Sequence, residues 1–366
     1  MSKRVVLTGG GTAGHIYPAL ALAERLKADG CEVWFAGTPN GIESRIVPDA
    51  GIPFAGFESS GFNRRHPTTL PKGVARIMKS TRKAKEWFRE IRPDAVVAFG
   101  GYVSIPVARA AEQTGVPVVV HEQNSVMGMA NKYISKKAKA VCLTYEEASK
   151  YVPEGVRCVV TGNPVRGAVT KTTRQEGRAY LGIPEDATLL VVFGGSKGAR
   201  HINEAVAAMK DDLLAVDGLH VVHITGEAEL DATAKLLALS ADEKERYHVM
   251  GYQDHMAETL AAADAVVSRA GATSLAEISA RAIPAILVPY PYATNDHQRT
   301  NARAYAEAGA ALLVDDSDLG SEAFRQAVLG IASDADERAR MHEAMLSLRP
   351  EDAAAKLDEV VESCLA

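Results

Sequence analysis

Short, almost wholly apolar runs alternate along this chain with longer stretches in which apolar residues recur every three or four positions. Val5-Val6-Leu7 is followed by a helical period over residues 16–27, an apolar run at 33–36 and a second helical stretch near 42–49. Further runs lie at 95–99, 116–121, 140–143 and 156–161. Continuous apolar runs suit strands covered on both faces, so the rhythm predicts βαβ units and a parallel sheet. Pro117 fits this reading at the first position of its strand, where no ladder bond is lost. Gly162-Asn163-Pro164-Val165-Arg166 breaks the pattern as a hinge would, and the rhythm restarts with runs at 189–193, 219–225, 247–250, 265–268, 285–288 and 311–314. The fold class expected is therefore α/β, with two Rossmann-like, doubly wound parallel-sheet domains at residues 1–163 and 164–342. Their strand carboxyl ends are expected to face one cleft. The last segment, about 343–366, reads as a helix packing back on the first domain.

Length and composition narrow this picture. A chain of 366 residues with 47% hydrophobic and 24% charged residues can bury two sizeable cores without metal or disulfide staples. Its net charge of -5 argues against nucleic acid as a partner. Cys31, Cys142, Cys158 and Cys364 have no metal-ligand spacing, which suits reduced thiols in a cytoplasmic protein. No apolar run approaches the ~18 residues of a membrane span, so neither a signal peptide nor a transmembrane helix is expected.

Three of the predicted strands end in paired glycines: Gly9-Gly10-Gly11-Thr12-Ala13-Gly14-His15, Gly100-Gly101-Tyr102 and Gly194-Gly195-Ser196. Such loops let backbone N–H groups approach a phosphate at the start of the next helix. The first satisfies the dinucleotide fingerprint, yet the following strand ends in Gly37-Thr38 and lacks the acidic residue that holds a nicotinamide cofactor's ribose. His15, directly after the last glycine, suits a general base; a structural histidine at a helix start is the plainer alternative. Ser268-Arg269-Ala270-Gly271 leads into Ala272, Thr273, Ser274, Leu275, Ala276 and Glu277, where small residues and hydroxyls at a helix start could meet a diphosphate. The same residue types would equally cap a core helix. The polar loop from Pro289 to Arg299, with Gln298, converges on that region, and His121-Glu122-Gln123-Asn124 ends another strand as a candidate base constellation. There is no HExxH sequence, no Gly-x-Ser-x-Gly elbow and no Walker loop, and the Asp-x-Asp pairs Asp316/Asp318 and Asp334/Asp336 follow no phosphate loop. No metal and no cofactor is expected.

Residues 72–92 carry eight basic residues against Glu86 and Glu90, while Val74, Ile77, Met78, Trp87, Phe88 and Ile91 recur at helical spacing. Cationic and apolar positions on one helix read either as a membrane-surface helix or as an ordinary surface helix whose apolar face belongs to the core. On the first reading the patch comprises Arg76, Ile77, Lys79, Arg82, Lys83, Trp87 and Phe88.

Taken in order, the glycine loops, His121-Glu122-Gln123-Asn124, Gly162-Asn163-Pro164-Val165-Arg166, the 269–277 stretch and Asp296-His297-Gln298 resemble the peptidoglycan N-acetylglucosaminyltransferases of glycosyltransferase family 28. The resemblance spans nearly the whole chain. It implies a GT-B fold and inverting transfer of GlcNAc from UDP-GlcNAc to the 4-hydroxyl of lipid I, on the cytoplasmic face of the cell membrane as a peripheral protein. It also implies donor contacts at Arg166, Ser196, Met250, Tyr252, Ala272 to Glu277 and Gln298. Thr12, Ala13, Gly14 and Asn124 would line the site from the acceptor side. His15 would be the base, with Glu122 the rival. Relatives commonly have glycine at position 13, so Ala13 adds a methyl beside the acceptor. Cell-wall synthesis proteins are implied as further partners; another UDP-sugar transferase or an epimerase of the same fold is the alternative activity.

Overall fold

A computed structural model describes residues 2–59, 70–195, 198–293, 296–349 and 351–365. The chain forms two units, residues 1–166 with 351–366, and residues 167–350. The first holds strands β1 (Arg4–Gly9), β2 (Glu32–Gly37), β3 (Phe54–Gly56), β4 (Ala95–Gly100), β5 (Val118–Glu122), β6 (Ala140–Leu143) and β7 (Arg157–Val160). Its helices are α1 (Ala13–Ala28), α2 (Glu43–Asp49), α3 (Leu70–Ile91), α4 (Ser104–Thr114) and α5 (Met129–Ile134). The second unit opens with α6 (Gly167–Lys171) and α7 (Arg174–Leu181), then β8 (Thr188–Phe193), α8 (Arg200–Ala207) and α9 (Lys210–Ala215). It continues with β9 (Leu219–Ile224), α10 (Leu230–Leu237), β10 (Tyr247–Met250), α11 (Met256–Ala262), β11 (Ala265–Ser268) and α12 (Ala272–Ala280). It closes with β12 (Ala285–Leu287), α13 (His297–Glu307), β13 (Ala311–Leu313), α14 (Glu322–Ser333) and α15 (Ala335–Ser347); α16 (Ala353–Glu362) returns to the first unit.

Both sheets are parallel, in the orders β3-β2-β1-β4-β5-β6-β7 and β10-β9-β8-β11-β12-β13. Every apolar run of the sequence is a strand; the inner strands are covered on both faces, while the edge strand β7 is largely exposed. Val5, Leu7, Val97 and Phe99 pack on the α1 and α16 side, while Val6, Val96 and Ala98 pack on the α3 and α4 side. In the second unit Leu190, Val192 and Val267 face one core, and Leu189, Val191 and Val266 the other. Strand order reverses between β1 and β4 and between β8 and β11. Those switch points are where parallel sheets open a crevice at the carboxyl ends of their strands, and three of the glycine loops sit there. β3 is absent from the sequence reading, since three residues after Pro53 give too short an apolar run to register.

The unit boundaries fall a few residues beyond 163 and 342. Arg166 stays with the first unit, its guanidinium 4.2 Å from the Tyr17 ring centre. Residues 343–347 belong to α15, whose Met345 is fully buried in the second core. Only α16 packs on α1, through Leu357, Val360 and Val361. This contact has a built-in cost. Burial, then a hydrogen bond shared with Asp29, pushes the Asp358 carboxyl up to about 6, against a lowering bond from Arg25 Nε at 3.4 Å. A carboxyl raised in the folded state contributes its stability below the ordinary value of 3.8 and loses it as pH rises through about 6. Asp358→Asn is therefore expected to raise the Tm at pH 8 by roughly 2–5 °C and to change it little at pH 4. A lower Tm at pH 8 in calorimetry would contradict this.

Candidate active site

The loop after β1 is held from beneath. Glu43, fully buried at the start of α2, accepts the Thr38 N–H at 2.9 Å and the Gly11 N–H at 3.3 Å. A Cβ on Gly10 would collide with the Glu43 carboxylate, and one on Gly101 (φ +80°) would stand 2.5 Å from the Gly10 carbonyl oxygen. Only glycine lets the β1 and β4 loops approach so closely. Thr12 is the exposed N-cap of α1, without a side-chain cap bond, and Ala13 and Gly14 open the helix half-buried. His15 Nδ1 lies 2.8 Å from the Gly10 carbonyl oxygen. A carbonyl only accepts, so in the neutral ring Nδ1 carries the proton and Nε2 keeps its lone pair. Nε2 lies beside Gly100, where an added Cβ would meet it at 3.0 Å.

Glu122 has a different setting. It is buried, one oxygen accepting the Asn124 N–H at 3.0 Å and the Asn124 amide at 3.3 Å, the other the Gly128 N–H at 2.9 Å and the Asn131 amide at 2.9 Å. Four donors commit both oxygens to shaping the loop between β5 and α5. His121 is buried, bonded to the Gly162 carbonyl at 2.9 Å and to Gln123 at 3.0 Å, and burial pushes it down to about 4. Both side chains fix the loop that carries Asn124.

In the second unit Gly271 is the N-cap of α12 and makes no side-chain cap bond. Ala272, Thr273 and Ser274 form its first turn, the latter two half-buried, and Glu277 lies about one turn on, 8% exposed. Leu275 and Ala276 pack inward instead: Leu275 is 1% exposed in the core and its N–H closes the first turn on the Gly271 carbonyl. Gln298 accepts the Tyr290 N–H at 2.9 Å, tying the first turn of α13 to the proline-stiffened loop. The Met250 carbonyl accepts the Thr225 N–H at 2.9 Å, fixing the end of β10, with Tyr252 just beyond. Ser196 lies outside the described residues. Two networks, one of them fully buried, escape sequence reading because their members are far apart in the chain. Arg269 pairs with Asp316 at 2.6 Å, and Asp316 also takes His201 at 2.6 Å. Burial opposes these bonds, yet they outweigh it and hold Asp316 below the usual carboxylate range. Asn203, His223 and Tyr247 form a chain of contacts at 3.1 and 3.0 Å, and burial pushes His223 down to about 4.

The amphipathic segment divides between the two readings. Ile77 and Phe88 are buried in the first core and Trp87 packs among Trp34, Phe57 and Phe88, so these three leave the proposed patch. Arg76, Lys79, Arg82 and Lys83 are exposed, with Val74 at 44% and Met78 at 62% exposure beside them. Among the described residues no helix is long and apolar enough to cross a membrane, and no group of His, Cys, Asp and Glu could hold a metal.

Residues 5–143 match the glycosyltransferase family 28 N-terminal domain and residues 189–357 its C-terminal domain. The chain belongs to glycosyltransferase family 28. This family member is 41% identical over 321 residues to the UDP-N-acetylglucosamine–N-acetylmuramyl-(pentapeptide) pyrophosphoryl-undecaprenol N-acetylglucosamine transferase of Halothermothrix orenii, covering 86% of each chain. It is 39% identical over 361 residues to the Bacillus subtilis protein of the same name, covering 98% of this chain and 99% of that one. A crystal structure of Acinetobacter baumannii MurG superimposes with a TM-score of 0.72 at 28% identity, covering 99% of each chain. The two parallel sheets of this glycosyltransferase are thus those of the GT-B fold expected from its sequence.

Proposed function

We propose that this protein transfers N-acetylglucosamine from UDP-GlcNAc to the 4-hydroxyl of the muramyl sugar of lipid I, with inversion, to give lipid II. The observation that carries the reading is the near-full-length likeness to transferases named for this reaction, joined to a loop-mouth histidine whose bond to Gly10 leaves Nε2 as a proton acceptor. The acceptor hydroxyl attacks C1 of the sugar while its proton passes to His15 Nε2; the O4–C1 bond forms as the bond from C1 to the UDP oxygen breaks. Charge developing on the leaving diphosphate is met by the positive dipole end of α12, together with Ser196. Glu277 accepts the ribose hydroxyls, the backbone from Met250 to Tyr252 meets the uracil, and Arg166 and Gln298 complete the donor contacts. Thr12, Ala13, Gly14 and Asn124 lie on the acceptor side, where Glu122 shapes the loop and leaves the proton transfer to His15. UDP release by the purified protein is expected to require a lipid I analogue. Turnover of UDP-GlcNAc without acceptor would point to an epimerase.

An acceptor with an undecaprenyl tail draws the enzyme to a membrane. Val74 and Met78 of α3, with Met129 and Tyr133 of α5, line an apolar depression of about 220 Å³, and Arg109 is at its wall. All four are 44–62% exposed, and Arg76, Lys79 and Arg82 lie exposed on the same helix as the first two. Anionic lipid attracts such a face at roughly 1 kcal/mol per cation near the surface. Substituting both Val74 and Met78 by Asp is expected to cut sedimentation with phosphatidylglycerol vesicles at least about tenfold while the fold persists. Unchanged sedimentation would exclude this face.

A further inference from the structure

The peptide unit joining Gly10 to Gly11 is bonded at both ends. Its N–H donates to Glu43 Oε2 at 3.3 Å, and its carbonyl accepts His15 Nδ1–H at 2.8 Å. Glu43 is fully buried, and its other oxygen is anchored by the Thr38 N–H at 2.9 Å, so the carboxylate bridges the loops after β1 and β2. The chain leaves room for it on three sides: a Cβ on Gly10 or Gly41 would collide with the carboxylate, and one on Gly37 would stand 2.7 Å from Glu43 Cγ. A buried carboxylate costs several kcal/mol unless its hydrogen bonds are met, so three glycines cleared around it mark a group the loop is built to hold.

We infer that Glu43 is a positioning residue for His15, acting through one polarised peptide unit: the carboxylate fixes the Gly10–Gly11 plane, and that plane's carbonyl fixes the imidazole as the Nδ1–H tautomer. This rests on His15 as the base. In proteins where a carboxylate orients a catalytic imidazole directly, the contact sets the tautomer and stabilises the imidazolium as it forms. Here an amide is interposed, and hydrogen bonds in series polarise one another in the same sense. When Nε2 takes the acceptor's proton, Nδ1–H remains on the Gly10 carbonyl. The positive charge gained by the ring then faces a dipole whose far end is held by the Glu43 carboxylate.

The experiment has three arms. In the unmodified protein, nitrogen NMR of labelled histidine is expected to show neutral His15 protonated at Nδ1; protonation at Nε2 would overturn the proposal without any variant. Glu43→Gln is expected to lower kcat by about 10–100-fold with KM for UDP-GlcNAc within about twofold, and Glu43→Asp to recover part of the loss. Glu43→Gln at full kcat would refute it. In a His15→Ala background, Glu43→Gln is expected to add no further loss, whereas an undiminished factor there would mean that Glu43 acts elsewhere. Should His15→Ala turn over normally, the base assignment falls, while the His15 tautomer measured in Glu43→Gln still reads the link: an Nδ1–H share equal to the parent's would sever it. Should Glu43→Gln not fold, Glu43→Asp carries both the tautomer measurement and the kinetics.

Discussion

Replacing His15 by alanine is expected to lower kcat by about 10²–10⁴-fold while leaving the KM for UDP-GlcNAc nearly unchanged. The range is what a positioned general base contributes, and the split between the constants follows from where His15 sits. It lies in the first unit, bonded to the Gly10 carbonyl, whereas the proposed donor contacts other than Arg166 lie in the second. A group that acts only when the acceptor proton moves is felt in the transition state and not in donor binding. Glu122→Ala, by contrast, removes the acceptor for four donors and should disturb the loop with Asn124, costing stability as well as rate. Steady-state kinetics separate the two. A His15→Ala enzyme with ordinary turnover would transfer the role to another group.

Glu277→Ala is expected to show the opposite signature, raising Kd and KM for UDP-GlcNAc by about 10–10³-fold with a smaller change in kcat. Glu277 is 8% exposed on α12, and in the proposed reading its carboxylate accepts both ribose hydroxyls. Hydrogen bonds to a charged group are worth about 1.5–3 kcal/mol each, so losing one or two accounts for the range. Calorimetric titration with UDP alone measures this without acceptor, and circular dichroism verifies that α12 still packs. Donor affinity equal to that of the parent would remove Glu277 from the ribose role.

How far the sequence foretold these assignments depended on how local each signal was. Most strands are legible as apolar runs, so twelve of the thirteen among the described residues were visible and the three-residue β3 was missed. The loop glycines were legible because they follow those runs directly. The apolar positions of α3 were visible as a stripe, but periodicity cannot say what covers them. The structure gives Ile77, Trp87 and Phe88 to the core and leaves Val74 and Met78 exposed. Glu122 looked like a base beside His121; its partners Gly128 and Asn131 come from the following helix and show it saturated. Glu43 gave no signal at all. One acid in a short helical stretch acquires meaning only when the loops after β1 and β2 meet over it.

Acceptor-dependent glycosyl transfer with inversion is tested by incubating the purified protein with radiolabelled UDP-GlcNAc and a lipid I analogue, then recovering the lipid product. Label is expected in the lipid fraction as a β-1,4-linked GlcNAc, with one UDP released per sugar transferred. Label remaining in the nucleotide-sugar pool after UDP-GlcNAc has been consumed, or an α-linked product, would contradict it.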